Sequence, residues 1–119
     1  MPRLTARNYH NVKRGWWNNQ WYDSSWELAI LVYFHDHGME ITRNSRKFPY
    51  KFGRKMDYYQ PDFILEDGTY VEVKGIRDRR SMAKMSEFPY PIQMWGAREM
   101  KPYLEYMDKT YGRDWREKF

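Results

Sequence analysis

The sequence predicts an α/β (α+β) domain with a central mixed β-sheet flanked by helices, and three observations carry that prediction. An apolar segment of helical length comes first, strand-like segments broken by turn signals fill the middle, and a short strand sits between two helical segments near the end. The order is helix, strands, helix, strand, helix. With 119 residues, 41% hydrophobic and 19% aromatic, the chain has the material for one core. We read residues 1–22 as a basic, aromatic N-terminal arm and residues 23–119 as the folded domain.

Each element has its own reason. Residues 1–22, MPRLTARNYHNVKRGWWNNQWY, show no clean period and predict an irregular arm or short helix. SSWELAILVYFHDHG predicts a buried helix, with Ser24 as N-cap and Gly38 as the stop. ITRNSRKFPYKFGRKMDYY alternates charged and aromatic residues around turn signals and predicts one or two strands, weakened by Pro49. A hairpin follows in YYQPDFILEDGTYVEVKG, then a loop and basic helix in IRDRRSMAKMSEF. YPIQMW has the length of a short strand, and GAREMKPYLEYMDKTYG predicts a helix interrupted or restarted near Pro102.

Composition narrows the chemistry. The chain has no cysteine, which removes disulfides and thiolate metal sites and favours oxygen-ligated hard cations such as magnesium. Net charge is +5, and residues 1–22 hold Arg3, Arg7, Lys13 and Arg14 without an acid, so a polyanion such as nucleic acid is a plausible partner. The longest apolar run, Leu28 to Phe34, is too short to cross a bilayer, and the first ten residues lack the apolar core of a signal peptide. The expectation is a cytoplasmic protein with no membrane partner.

The hairpin poses the sharpest question, because Asp62, Glu72 and Lys74 stand among apolar residues. A two-residue turn at Asp67 and Gly68 would pair Phe63 with Glu72 and split the carboxylates between faces. A three-residue loop of Glu66, Asp67 and Gly68, with glycine left-handed, would pair Asp62 with Glu72. Phe63, Leu65, Val71 and Val73 would then share one face, and Asp62, Ile64, Tyr70, Glu72 and Lys74 the other. Two adjacent carboxylates suit a divalent cation, and magnesium takes one or two of them plus water and phosphate oxygens. A nearby ammonium such as Lys74 can orient an activated water, which points to phosphodiester hydrolysis. The bland alternative is a wet hairpin face with an ordinary Glu72–Lys74 surface pair.

The residues PDFILEDGTYVEVKG resemble the signature of the PD-(D/E)XK nuclease superfamily. SSWE, YQPDF and VEVKG together are similar to the pattern of its junction-resolving phage members. FPYPIQMW and REMKPYLEYMDKTYG resemble later elements of small phage and intron-associated, homing-type nucleases. The resemblance implies a restriction-endonuclease-like core over 23–119 and a magnesium- or manganese-dependent DNA endonuclease acting as a homodimer, with products bearing 5′-phosphate and 3′-hydroxyl ends. It implies Asp62 and Glu72 as metal ligands, Lys74 as the residue positioning the attacking water, and Glu27 as a ligand directly or through water. Ser24 and Glu27 also form a capping box, which explains the glutamate without catalysis.

Arg77, Arg79, Arg80 and Lys84 directly follow the hairpin, where they would contact phosphates beside such a site, with Arg3, Arg7, Lys13 and Arg14 holding DNA from the arm. A second basic run, Arg43 to Lys55, could clamp DNA or form a wet strand face. Asp57 is a further acidic candidate without motif support. His35 and His37, at the end of the first helix, make no metal site by themselves, and no glycine-rich phosphate loop or HExxH motif occurs. The rival readings are a phage packaging or head-completion nuclease, a non-catalytic DNA-binding module with a nuclease fold, and a protein-binding accessory factor whose tryptophans form the interface.

Overall fold

The computed structural model describes residues 13–75 and 78–119. The chain is α+β, and its described residues divide into two compact units, one formed by 13–39 together with 100–119, the other by those within 40–99.

The first unit begins with β1 (Gly15–Trp17) and β2 (Gln20–Tyr22), an antiparallel pair with Trp16 opposite Trp21. The irregular arm or short helix expected over 1–22 is therefore, over 15–22, a tight hairpin. Asn18 and Asn19 take φ of 51° and 65°, the doubly left-handed two-residue turn that asparagine tolerates, and the flanking aromatics suit strands. Residues 1–12 lie outside the described residues.

Helix α1 (Ser25–Asp36) starts as its sequence demands, with Ser24 Oγ accepting the Glu27 N–H at 3.2 Å. It stops at Gly38, whose φ is +66°. Leu28 to Val32 are all buried, so no face of that stretch is left to water. Asp36 accepts hydrogen bonds from the hydroxyls of Tyr106 and Tyr111, which lie on α3 (Ala97–Tyr111). That acceptor pushes the Tyr111 phenol up to about 12. The break expected near Pro102 does not occur, and α3 runs through it. An interior proline removes one backbone bond, and here Met100 and Met107, seven positions apart and fully buried, hold the helix on both sides of the loss. The short α4 (Trp115–Lys118) buries Trp115 completely, with its Nε1–H donating to Asp108 at 3.1 Å.

The second unit holds the sheet. Its strands are β3 (Ile41–Arg43), β6 (Phe63–Leu65), β7 (Tyr70–Val73) and β8 (Ile92–Trp95), in spatial order β3-β6-β7-β8. The first two pairings are antiparallel and β7–β8 is parallel. Between β7 and β8 the chain forms α2 (Arg79–Ser86), capped by Asp78, as a parallel connection requires. A separate ribbon of β4 (Phe48–Phe52) and β5 (Lys55–Tyr59) precedes β6, so residues 41–59 form three strands rather than one or two. Pro49 is accommodated in β4, a strand of this two-stranded ribbon, opposite Tyr58.

The β6–β7 turn decides between the two loop lengths. Phe63 pairs with Val71 and Ile64 with Tyr70. Gly68 N–H donates to Leu65 O at 2.9 Å and Leu65 N–H to Thr69 O at 2.8 Å, while Gly68 sits at φ +91°. This is the three-residue loop with a left-handed glycine. A Cβ at Gly68 would touch nothing within 4 Å, so only backbone strain opposes a larger residue. Gly68→Ala should lower stability by about 1–2 kcal/mol in urea unfolding, with an unchanged m-value; wild-type stability in the variant would contradict the turn assignment.

Candidate active site on the β6–β7 hairpin

Pro61 has no N–H to give, and the β6–β7 ladder ends at Phe63 opposite Val71. Asp62 stands just past that end. Its N–H still reaches Val71 O at 3.0 Å, and its Oδ2 accepts the Val73 N–H at 2.8 Å. The side chain therefore takes over a backbone bond at the corner. Arg43 Nη2 lies 3.8 Å from Asp62 Oδ1, with the guanidinium 5.4 Å from the centroid of Phe63.

Asn44, 2% exposed, holds the other side of this corner. Its backbone N–H donates to Asp62 O, its Nδ2 donates to Pro61 O, and its Oδ1 accepts the Arg46 N–H. Gln60 Nε2 in turn donates to Asn44 O at 3.0 Å. The corner is over-determined, which fixes where the Asp62 carboxylate points.

Glu72 is anchored by a residue to which the sequence reading gave no role. The Tyr59 hydroxyl, on a side chain 3% exposed, donates to Glu72 Oε1 at 3.0 Å. Burial first, then the Glu72 carboxylate, then the charge of Asp62 push the Tyr59 phenol far above its ordinary value. One buried hydroxyl thus feels both carboxylates. The signal was present in the motif YQPDF, where a tyrosine three residues before an aspartate has no need of its hydroxyl for packing alone.

Lys74 extends the strand, its N–H donating to Trp95 O at 3.0 Å. Its ammonium and that of Lys84 act on Asp78, whose carboxyl is held below its usual range chiefly by the Ser81 N–H. Lys84 Nζ sits 5.3 Å from the centroid of Tyr59, so it lies over the ring whose hydroxyl holds Glu72. Arg80 is 3.6 Å from Asp57, which gives that acid a structural partner, and it stacks on Phe52. Arg79 is exposed at the start of α2. Lys13 is half-buried and Arg14 exposed, just ahead of β1, while Arg3, Arg7 and Arg77 lie outside the described residues.

Glu27 belongs to the first unit, where its Oε1 accepts the Asp23 N–H at 3.0 Å and its side chain is 5% exposed. The bond reaches the residue before the N-cap, one position off a standard capping box. Capping therefore accounts for one oxygen of this glutamate.

Among the described residues no group of three or more histidine, cysteine, aspartate or glutamate side chains is arranged to hold a metal. Asp62 and Glu72 remain a pair of hard oxygen donors on one hairpin, Glu72 bonded by the Tyr59 hydroxyl and Asp62 by the Val73 N–H. Two carboxylates match what magnesium or manganese takes from protein when water and phosphate complete the shell, and they do not match zinc. The protein-family models, curated proteins and solved structures compared with this chain include no match.

A raised Tyr59 has a measurable consequence. Above pH 10 the unfolded chain releases this proton while the folded one keeps it, so stability falls as pH rises. Tyr59→Phe should make the fall in stability above pH 10 shallower by about 1.4 kcal/mol per pH unit, read from urea unfolding between pH 9 and 11.5. Parallel slopes for the two proteins would show that Tyr59 titrates normally.

Proposed function

We propose that the chain is a metal-dependent DNA endonuclease of the PD-(D/E)XK kind, hydrolysing phosphodiester bonds at the Asp62–Glu72–Lys74 corner. The observation that carries this reading is the pair of fixed carboxylates on one hairpin, Glu72 held by the buried Tyr59 hydroxyl and Asp62 by the Val73 N–H, with Lys74 directly after β7. Magnesium or manganese would be held by Asp62 and Glu72 and would supply neutralisation of phosphate charge and a more acidic water. Tyr59 and the Val73 N–H orient the two carboxylates, and Asn44 locks the backbone beneath Asp62. Lys74 positions a water for in-line attack at phosphorus. The bond to the 3′-oxygen breaks, the water oxygen stays with the 5′-phosphate after giving a proton to solvent, and the leaving oxygen takes a proton from solvent.

Two copies of one small site serve two strands, so the proposed working form is a homodimer. Light scattering at assay concentration should give twice the chain mass; a monodisperse monomer that still makes double-strand breaks would rule it out.

The ion pair from Arg43 and the bond from Tyr59 favour a second reading, a non-catalytic DNA-binding module, because both acids are already satisfied within the protein. Cleavage separates the two readings. Supercoiled plasmid and a synthetic four-way junction should be cut with magnesium or manganese and left intact with a chelator. Asp62→Asn, Glu72→Gln and Lys74→Ala should each lower the rate by about 100-fold or more. Uncut substrates that are nevertheless bound, with unchanged affinity in Asp62→Asn, would overturn the enzyme in favour of the module.

A further inference from the structure

Residues 41–56 carry Arg43, Arg46, Lys47, Lys51, Arg54 and Lys55 without a single acid. The β4–β5 register sorts this stretch into two faces. Phe48, Tyr50 and Tyr59 are buried on one of them, where Phe88 meets Phe48 edge-on at 4.7 Å and Arg80 pairs with Asp57. The other face carries Lys51 opposite Met56 and Pro49 opposite Tyr58. Tyr58 is 66% exposed and Met56 61%.

Gly53, at φ +65°, opens the two-residue turn that presents Arg54 at the tip, while Lys55, opposite Phe52, falls on the covered side of the register. Among the described residues no ion pair engages Lys47, Lys51 or Arg54. Asp57 points to the covered face beside Arg80, and at the ribbon edge the Glu87 carboxylate accepts the Lys51 backbone N–H at 3.2 Å.

Large apolar side chains in the open, ringed by unpaired cations, contribute nothing to this fold and mark a contact surface. Pro49 has no N–H, so this ribbon edge is a poor template for a partner strand, and recognition falls to the side chains. Duplex DNA presents a negative charge about every 1.7 Å along its axis, with apolar sugar faces between the phosphates. That pattern complements a basic face with an aromatic and a thioether at its centre.

We propose that the exposed face of the β4–β5 ribbon binds the backbone of duplex DNA, with Lys47, Lys51 and Arg54 on phosphates and Tyr58 and Met56 against deoxyribose. The choice of DNA rests on the nuclease reading. Tyr58 precedes Asp62 by four residues, so β5 leads from this face to the corner that holds the Asp62 carboxylate. A duplex held on the ribbon is thereby anchored beside the site.

The test is fluorescence anisotropy of a labelled duplex of about 30 base pairs in EDTA, where no cleavage occurs, across about 50 to 200 mM salt. Lys47→Ala/Lys51→Ala/Arg54→Ala should make the log–log salt slope shallower by about 2 to 3 and weaken binding at least about tenfold at the low-salt end. Tyr58→Ala should weaken binding severalfold without altering the slope. These side chains are exposed, and circular dichroism would confirm that the variants fold. A triple variant with wild-type slope and affinity overturns the proposal, as does a wild type whose binding ignores salt. Cleavage run in parallel keeps the two readings apart. Cutting with an unchanged triple variant removes the ribbon surface and leaves the nuclease, whereas a reduced slope without any cutting leaves the ribbon and removes the nuclease.

Discussion

The register of one hairpin governs the candidate site. Side chains on a strand alternate faces with period two, so a slip of a single residue between β6 and β7 would exchange every inward group for an outward one. Gly68, left-handed at φ +91°, closes a three-residue loop and fixes Phe63 opposite Val71. Phe63 and Val71, both fully buried, then commit one face to the core. Glu72 follows onto the other side by alternation, while Asp62, just past the end of the ladder, is set by its own bond from the Val73 N–H.

Two carboxylates so placed carry an electrostatic load, and the surrounding residues meet it. Arg43 stands against Asp62, the Val73 N–H donates into it, and the buried Tyr59 hydroxyl donates into Glu72. Hydrogen bonds to ionised groups are worth roughly twice neutral ones, and in a partly desolvated corner their loss would leave a charge uncompensated. Asn44 extends the same logic to the backbone, satisfying Pro61 O where a proline-terminated ladder leaves it without a strand partner. These contacts orient two acids with a rigidity that an ordinary wet hairpin face does not need.

Much of this was legible in the residues. Ser24, the apolar run to Phe34 and Gly38 marked α1 because capping and helical burial are local. Glu66, Asp67 and Gly68 allowed the correct loop, though only the structure chose it over the two-residue turn. The hairpin at Asn18 and Asn19 was missed because tryptophan-rich flanks have no apolar–polar alternation, although the paired asparagines carried the turn signal. Pro102 misled because a proline's local cost was weighed without the buried methionines on either side. Tyr59 and Asn44 were overlooked for a different reason: their roles are hydrogen bonds to residues 13 and 17 positions away, which no local pattern reveals.

The central claim is that Asp62 and Glu72 together form a binding corner for a hard divalent cation. Its most direct measurement is the paramagnetic broadening of backbone amide resonances during titration of manganese into the DNA-free protein. The account predicts selective loss of the Asp62, Glu72 and Val73 signals at low manganese, competed by magnesium and abolished in Glu72→Gln. Broadening centred elsewhere, or identical in that variant, would contradict it.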